Sequence, residues 1–365
     1  MQLYYFLAVL ISLSFGSLPG STQSFPKAVG FSIAVIAVWW CLCLLLTRTV
    51  TRLIDQGEIH AGIGDRWFYR QSCTLRWFSV ALIFLCLGGF GLGRNLNQLP
   101  FAQHSLVLQS VILLTPAIAL IVGIWIAEYL FESRVESREI KLRDAVRWVS
   151  SEFRSGIGWL LIPILGCMLI IDLSAIVAHL GESNDYFPAW APWVLVAVAG
   201  VYALPLLVRK VFPTTTLSAE DSEWIEAIME SSGLRRCRVA VWDTDRRYFN
   251  ALIAGLLGRC RILILSDRLV EELDRAQLSM VILHEVAHAK RFHVPVRIGA
   301  LGPAWLLALI LAWLANHLTS ASPMHDWLQT WSGTLGSLFG VLTTVFILRF
   351  VSHRIEYDAD QVACE

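Results

Sequence analysis

Val281-Ile282-Leu283-His284-Glu285-Val286-Ala287-His288 is the stretch on which the reading of this chain turns. On a helix, His284 and His288 stand four residues apart, so both rings leave one face and can share a metal ion. Glu285 lies beside the first ring, where a carboxylate can act as general base on a water activated by that metal. Leu278, Val281, Ile282 and Leu283 lead into the pair without Gly or Pro, which favours the helix. With nine His, an HExxH pattern arises by chance in about one chain in a hundred of this composition, so it needs support.

Support comes from Ser352-His353-Arg354-Ile355-Glu356-Tyr357-Asp358-Ala359-Asp360. Two His leave a catalytic zinc site one protein ligand short. Glu356 and Asp360 are again four apart on a helix face. Glu356 can complete the ligand set, while Asp360 accepts the ring N–H of a ligand His and fixes its tautomer. An isolated ExxxD reads as an acidic, solvent-facing turn; next to HExxH the metal reading prevails.

Together with Phe249-Asn250-Ala251-Leu252 and Arg261-Ile262-Leu263-Ile264-Leu265-Ser266-Asp267, these motifs resemble the HtpX and CAAX prenyl protease family of membrane-embedded zinc metallopeptidases. The resemblance runs from about Trp242 to Cys364. It implies a zinc endopeptidase of the gluzincin type. One Zn2+ per chain would be held by His284, His288 and Glu356, with Glu285 catalytic and Asp360 behind the ligands. Three positions depart from the family pattern: His353 stands where Arg is usual, His293 where an acid often follows the metal helix, and Leu252 where an aromatic is usual. The resemblance also implies that the chain continues beyond Glu365.

The composition is that of a membrane protein: 56% hydrophobic, 16% charged, mean hydropathy +0.60. Apolar runs at about 3–18, 28–46, 77–92, 106–130, 157–180, 189–211, 298–318 and 335–351 are mostly near the twenty residues a spanning helix needs. Eight spans are expected. The first lacks a basic n-region and a clear cleavage site, so it reads as a retained span.

Basic residues orient the bundle. Residues 48–76 hold five Arg and 134–154 hold six Lys or Arg, whereas the alternate loops hold only Lys27 and Arg94 early on and none at 181–188 or 319–330. That asymmetry assigns the Arg-rich loops to the cytoplasm. Counting through, 213–296 and the stretch after Arg349 fall on that same side, so both halves of the metal motif meet there.

The expected fold is therefore mainly α: a polytopic helical membrane bundle with a small cytoplasmic α+β metalloprotease domain interrupted by a transmembrane hairpin. The bundle would take 1–212, about six helices. The HExxH segment would take 213–297, the hairpin 298–351, and a third-ligand helix 352–365. Within the soluble segment, 218–232 reads as a helix capped by Ser218 and stopped by Gly233. Residues 238–242 and 261–265 read as strands, and Asp274 as the cap of the metal helix. A peptide substrate could add to the edge of such a sheet, near Asn250. Asn250 and His353 are candidates for holding substrate or oxyanion. The plainer readings are a turn residue for Asn250, a helix C-terminal cation for His293 and a packing residue for Tyr357.

Net charge is zero, and there is no basic patch beyond the orienting loops, which argues against nucleic acid. Trp39, Trp40, Trp77, Trp190, Trp193, Trp327 and Trp331 lie near span ends, as an interfacial belt would. Eight Cys without a CxxC pair indicate neither disulfides nor a cysteine metal site. Asp172, set among Ile170, Ile171 and Leu173, is an intramembrane acid and a candidate by default, although a wet interior or the outer interface explains it as well.

The function expected is hydrolysis of peptide bonds in membrane or membrane-associated polypeptides, with protein quality control in a bacterial inner membrane as the setting. The rivals are a sensor-transducer membrane metalloprotease, for which no extracytoplasmic domain is visible, and a transporter with a coincidental HExxH. A transporter should carry internal repeats and polar residues in several spans.

Overall fold

The computed structural model describes residues 2–14, 21–180, 190–255, 261–318 and 325–364. In chain order its elements are α1 (Gln2–Ser14), α2 (Phe25–Asp55), α3 (Ala61–Phe84), α4 (Leu92–Asn97), α5 (Pro100–Gln103), α6 (Leu106–Val135), α7 (Leu142–Glu152), α8 (Trp159–Leu180), α9 (Ala191–Val211), β1 (Thr214–Thr215), α10 (Ala219–Ser231), β2 (Arg238–Trp242), β3 (Ala251–Ala254), β4 (Ile262–Ser266), α11 (Asp267–Glu272), α12 (Arg275–Lys290), α13 (His293–Gly299), α14 (Leu301–Leu318) and α15 (His325–Cys364). Two compact units result, Met1–Tyr186 and Phe187–Glu365.

The first unit is helical. Four of its helical stretches, Phe25–Asp55, Ala61–Gly89, Leu106–Val135 and Leu142–Val177, are long and apolar enough to cross a membrane. The first apolar run forms a helix of only 13 residues, about 20 Å long at 1.5 Å per residue, yet Tyr4, Tyr5, Ala8 and Val9 are buried in the unit's core. The remaining expected spans fall on α9, α14 and the first part of α15. The Arg-rich stretch 48–76 is mostly helix: only residues 56–60 join α2 to α3, because both helices extend past their apolar spans.

Helix α6 is the axis of this unit, burying Leu113, Leu114, Ala117, Leu120, Ile121, Ile124 and Trp125. Trp39 does not belong to an interfacial belt. It is 2% exposed and its indole N–H donates to the Leu120 carbonyl at 3.0 Å, since a desolvated indole must find an acceptor. Trp77, Trp190 and Trp193 are exposed, as a belt requires; the side chains of Trp327 and Trp331 lie outside the described residues. Asp172 takes a structural role. Its carboxylate accepts from Ser105 Oγ (2.7 Å) and from the backbone amides of Leu106 (2.9 Å) and Val107 (3.1 Å), capping the open N-terminus of α6.

The second unit builds its sheet in the order β1-β2-β4-β3. Strands β2 and β4 are parallel, with Arg238 opposite Ile262, and β3 runs antiparallel to β4 at the edge, with Ile253 opposite Leu263. Central β4 is buried throughout, which is why it reads as a continuous apolar run rather than an alternating one. The expected caps form at Ser218, which accepts from the Asp221 amide, and at Asp274, which makes a capping box with Gln277; Ser266 likewise accepts from the Leu269 amide and caps α11. Gly233, in the left-handed region at φ +80°, closes α10. The core joins Ile225 and Met229 of α10, Leu263 and Leu265 of β4, and Leu278, Ile282 and Val286 of α12.

Helix α15 runs without a break from His325 to Cys364. The third-ligand segment is thus the last three turns of the helix that contains the expected returning span. No step marks position 352, because nothing between 325 and 364 interrupts backbone hydrogen bonding: the stretch holds no proline.

Candidate active site

Helix α12 has two working faces. At about 100° per residue, Leu278, Ile282 and Val286 line one side and enter the core. His284 and His288 leave the opposite side. Glu285 falls between them, nearer the apolar side, and burial pushes its carboxyl up to about 7. His284 and the Ile253 backbone amide pull that value down, and the negative charge of Glu356 pushes it up.

Helix α15 packs against α12. Its buried seam is Ile355, Ala359 and Ala363. Ala287 and Ala359 are both fully buried, and such small side chains permit the close approach that carries Glu356 and Asp360, one residue round from the seam, to the two imidazoles.

Three donor atoms converge. His284 Nε2 and His288 Nε2 are 3.1 Å apart, and Glu356 Oε2 lies 3.2 Å from the first and 3.4 Å from the second. Ligands about 2.0–2.1 Å from a tetrahedral zinc ion stand roughly 3.4 Å from one another. The set therefore fits zinc in both donor chemistry and spacing, and His284, His288 and Glu356 form a group able to hold a metal.

Each donor has a second contact behind it. His284 Nδ1 is 2.8 Å from Asp360 Oδ1, the arrangement expected from the ExxxD spacing. His288 Nδ1 is 2.7 Å from His293 Nδ1, and His293 Nε2 is 3.0 Å from Asp358 Oδ2. One tautomer set satisfies all of these contacts: both ligand rings donate from Nδ1, and His293 donates from Nε2 to Asp358. The Nε2 lone pairs of His284 and His288 are then free to point at one place. Arg297 Nη2 donates to Glu356 Oε1.

Electrostatics agree with this arrangement. Burial holds the His288 imidazole below its ordinary value, favouring the neutral ring that a metal needs. For Glu356 burial works upward, but His288 and Arg297 outweigh it and hold the carboxyl below the usual range.

The sheet edge lies alongside. The Ser266 amide donates to the Asn250 carbonyl at 2.9 Å, so residues 250, 252 and 254 bond inward and Ala251 and Ile253 turn their backbone groups outward. The Ile253 amide meets the Glu285 carboxylate. Asn250 is exposed at the start of this edge, its backbone amide donating to Ser266 Oγ at 3.1 Å. His353 is exposed on α15, three residues before Glu356.

Two plainer expectations are corrected. His293 does not stand at the C-terminus of the metal helix: α12 ends at Lys290, Phe292 turns through the left-handed region at φ +55°, and His293 opens α13. It is 4% exposed, buried between His288 and Asp358. Tyr357 does not pack; it is 70% exposed, on the outer side of a helix whose inner seam is Ile355 and Ala359. Sequence reading missed Arg297 and Asp358 altogether. Only the i, i+4 spacing of His293 and Arg297 hinted that α13 presents a polar face.

Residues 219–365 match peptidase family M48. A CAAX prenyl protease 1 homologue from Dictyostelium discoideum is 29% identical over 129 residues. The alignment covers 34% of this chain and 30% of that protein, so the chain spans less than a third of the length of its curated relative. The M48 stretch begins at the first residue of α10 and takes in β2, β3, β4, α12 and the whole of α15, which includes every residue of the three-donor cluster.

Proposed function

We propose that this protein is a membrane-integrated, zinc-dependent endopeptidase. The observation that carries the reading is the triangle of His284 Nε2, His288 Nε2 and Glu356 Oε2, with sides of 3.1–3.4 Å, next to a half-buried glutamate on the metal helix. Bound there, a zinc ion would supply Lewis-acid chemistry, polarising a carbonyl and acidifying water.

The chain's own residues do the rest. Glu285 accepts a proton from the attacking water and delivers it to the leaving amine nitrogen. Burial raises the affinity of the Glu285 carboxyl for a proton, which suits a group that first takes a proton and then returns it. His284 and His288 are oriented by Asp360 and by the His293–Asp358 pair, and burial favours the neutral ring at His288. An extended polypeptide lies along the outer edge of β3, using the outward backbone groups of Ala251 and the carbonyl of Ile253, whose amide is taken by Glu285, with Asn250 and His353 as candidate contacts for substrate or oxyanion.

The surroundings support a substrate at or in a membrane. Phe292, Val294, Val296 and Ile298 are exposed apolar residues just after the metal helix, and the apolar α14 follows at once. A membrane protein on the cytoplasmic face of a bacterial inner membrane, turned over for quality control, is the substrate class and setting we infer. In this organisation the bundle is 1–212, the HExxH segment 213–297 and the hairpin 298–351, with the third ligand following.

The test is a digest of a membrane-protein or casein substrate by detergent-purified Glu285→Gln, with zinc content measured in parallel. The variant should keep its zinc and lose roughly 10²–10⁴-fold in rate, as loss of a general base does. Full proteolysis by that variant would remove the mechanism.

A further inference from the structure

Resting on that zinc reading, we propose that Arg297 is a positioning residue for the third ligand: it holds one oxygen of Glu356 so that the carboxylate presents only the other to the metal.

Helix α13 is inverted for a surface helix. Val294, Val296 and Ile298 face outward and are exposed. Its polar residues His293 and Arg297, four apart, turn inward together, and the Arg297 side chain is only 34% exposed. A guanidinium normally reaches for water. Here it points at a cluster of two imidazoles built to receive a dication, where a further positive charge is unfavourable unless an anion offsets it. The anion is Glu356, whose Oε1 takes Arg297 Nη2.

The division of labour within Glu356 is what the chemistry requires. Oε2 faces both imidazoles, at 3.2 and 3.4 Å. Oε1 faces Arg297. A catalytic zinc site uses three protein ligands and keeps a fourth position open. If both oxygens of Glu356 swung onto the metal, that position would be crowded. Glu356 is itself half exposed at 49%, and a glutamate has considerable rotamer freedom to lose on being fixed. Arg297 fixes it through a charge-assisted bond directed at a single oxygen. A plain exposed ion pair, by contrast, would contribute little to stability and nothing to metal geometry.

The experiment uses the full chain in detergent, with zinc affinity read by competition against a chromophoric chelator and geometry read from the visible spectrum of the cobalt-substituted protein. Arg297→Met should weaken zinc binding about 10–100-fold, the range for loss of a partner behind a ligand. It should also dim the cobalt bands, as five-coordinate cobalt absorbs less than four-coordinate. Arg297→Lys should recover part of the affinity, because it restores the charge without the planar fork. In a Glu356→Ala background, Arg297→Met should cause no further loss. Wild-type affinity and spectrum in Arg297→Met would overturn the proposal, and so would an equal loss in both backgrounds, which marks a merely structural residue. Failure of the zinc reading itself looks different: His284→Ala would then bind zinc as the unaltered protein does, whatever stands at 297.

Discussion

Replacing Glu356 by Ala removes the only carboxylate among the three donors, and the structure allows the loss to be sized. Glu356 Oε2 is within 3.4 Å of both imidazole nitrogens, so it stands among the donor atoms rather than as a distant charge. Zinc binds four-ligand structural sites with roughly 10–16 kcal/mol. Divided evenly, each ligand accounts for about 2.5–4 kcal/mol, or roughly two to three powers of ten in affinity. The loss of the negative charge that offsets Arg297 acts in the same direction. Asp360→Asn makes a smaller change, because the asparagine oxygen can still accept from His284 Nδ1 at the 2.8 Å now spanned by the carboxylate. It should fall at the mild end of the 10–100-fold range for such partners. Chelator competition on the detergent-purified variants, with melting curves to confirm folding, gives the order directly. The expected ranking is unaltered protein, then Asp360→Asn, then Glu356→Ala. Zinc affinity in Glu356→Ala equal to that of the unaltered protein would refute the assignment of this ligand, however active the variant proved.

His293→Ala removes the group that holds His288 Nδ1 at 2.7 Å, and should weaken zinc binding about 10–100-fold with Asp358→Asn milder; unchanged affinity in both would reduce the pair to packing. A pH effect follows from Glu285 in the metal-free protein. Its folded pKa of about 7 lies above the ordinary 4.5, so the folded state binds the proton more tightly, and that contribution is full below pH 4.5 and lost as pH rises through 7. Glu285→Gln should therefore gain on the unaltered protein over that window, by at most roughly 3 kcal/mol above pH 7; a difference in melting temperature that stays constant from pH 5 to 8 would count against it. A reporter fused after Val211 should read as cytoplasmic and one after Thr319 as external, and the opposite pattern would overturn the inferred orientation.

Much of the site was legible in the chain because its signals are local. The four-residue spacings of His284 with His288 and of Glu356 with Asp360 are consequences of helix geometry, and the structure brings Asp360 to His284 as that spacing implies. The caps at Ser218, Ser266 and Asp274 are contacts within three residues. Apolar runs announced the long helices, since a bilayer demands about twenty such residues in a row. What the chain alone could not show are contacts between elements distant in sequence. His293 reads as a helix-end cation until the fold sets it against Asp358, 65 residues away. Arg297 reads as one more basic residue near a span until α13 turns it inward to Glu356, 59 residues on. Strand β3, four residues long, carries too little pattern to be read, and only its pairing with β4 makes it an edge. Trp39 and Asp172 have the composition of interfacial or functional residues, and only the packing of α6 made one a core residue and the other a helix cap. The sequence by itself determined which atoms could bind a metal, because ligand type and helical spacing are properties of the chain. The tertiary structure decided which partners stand behind each ligand, because a hydrogen bond between distant segments depends on where packing sets them down.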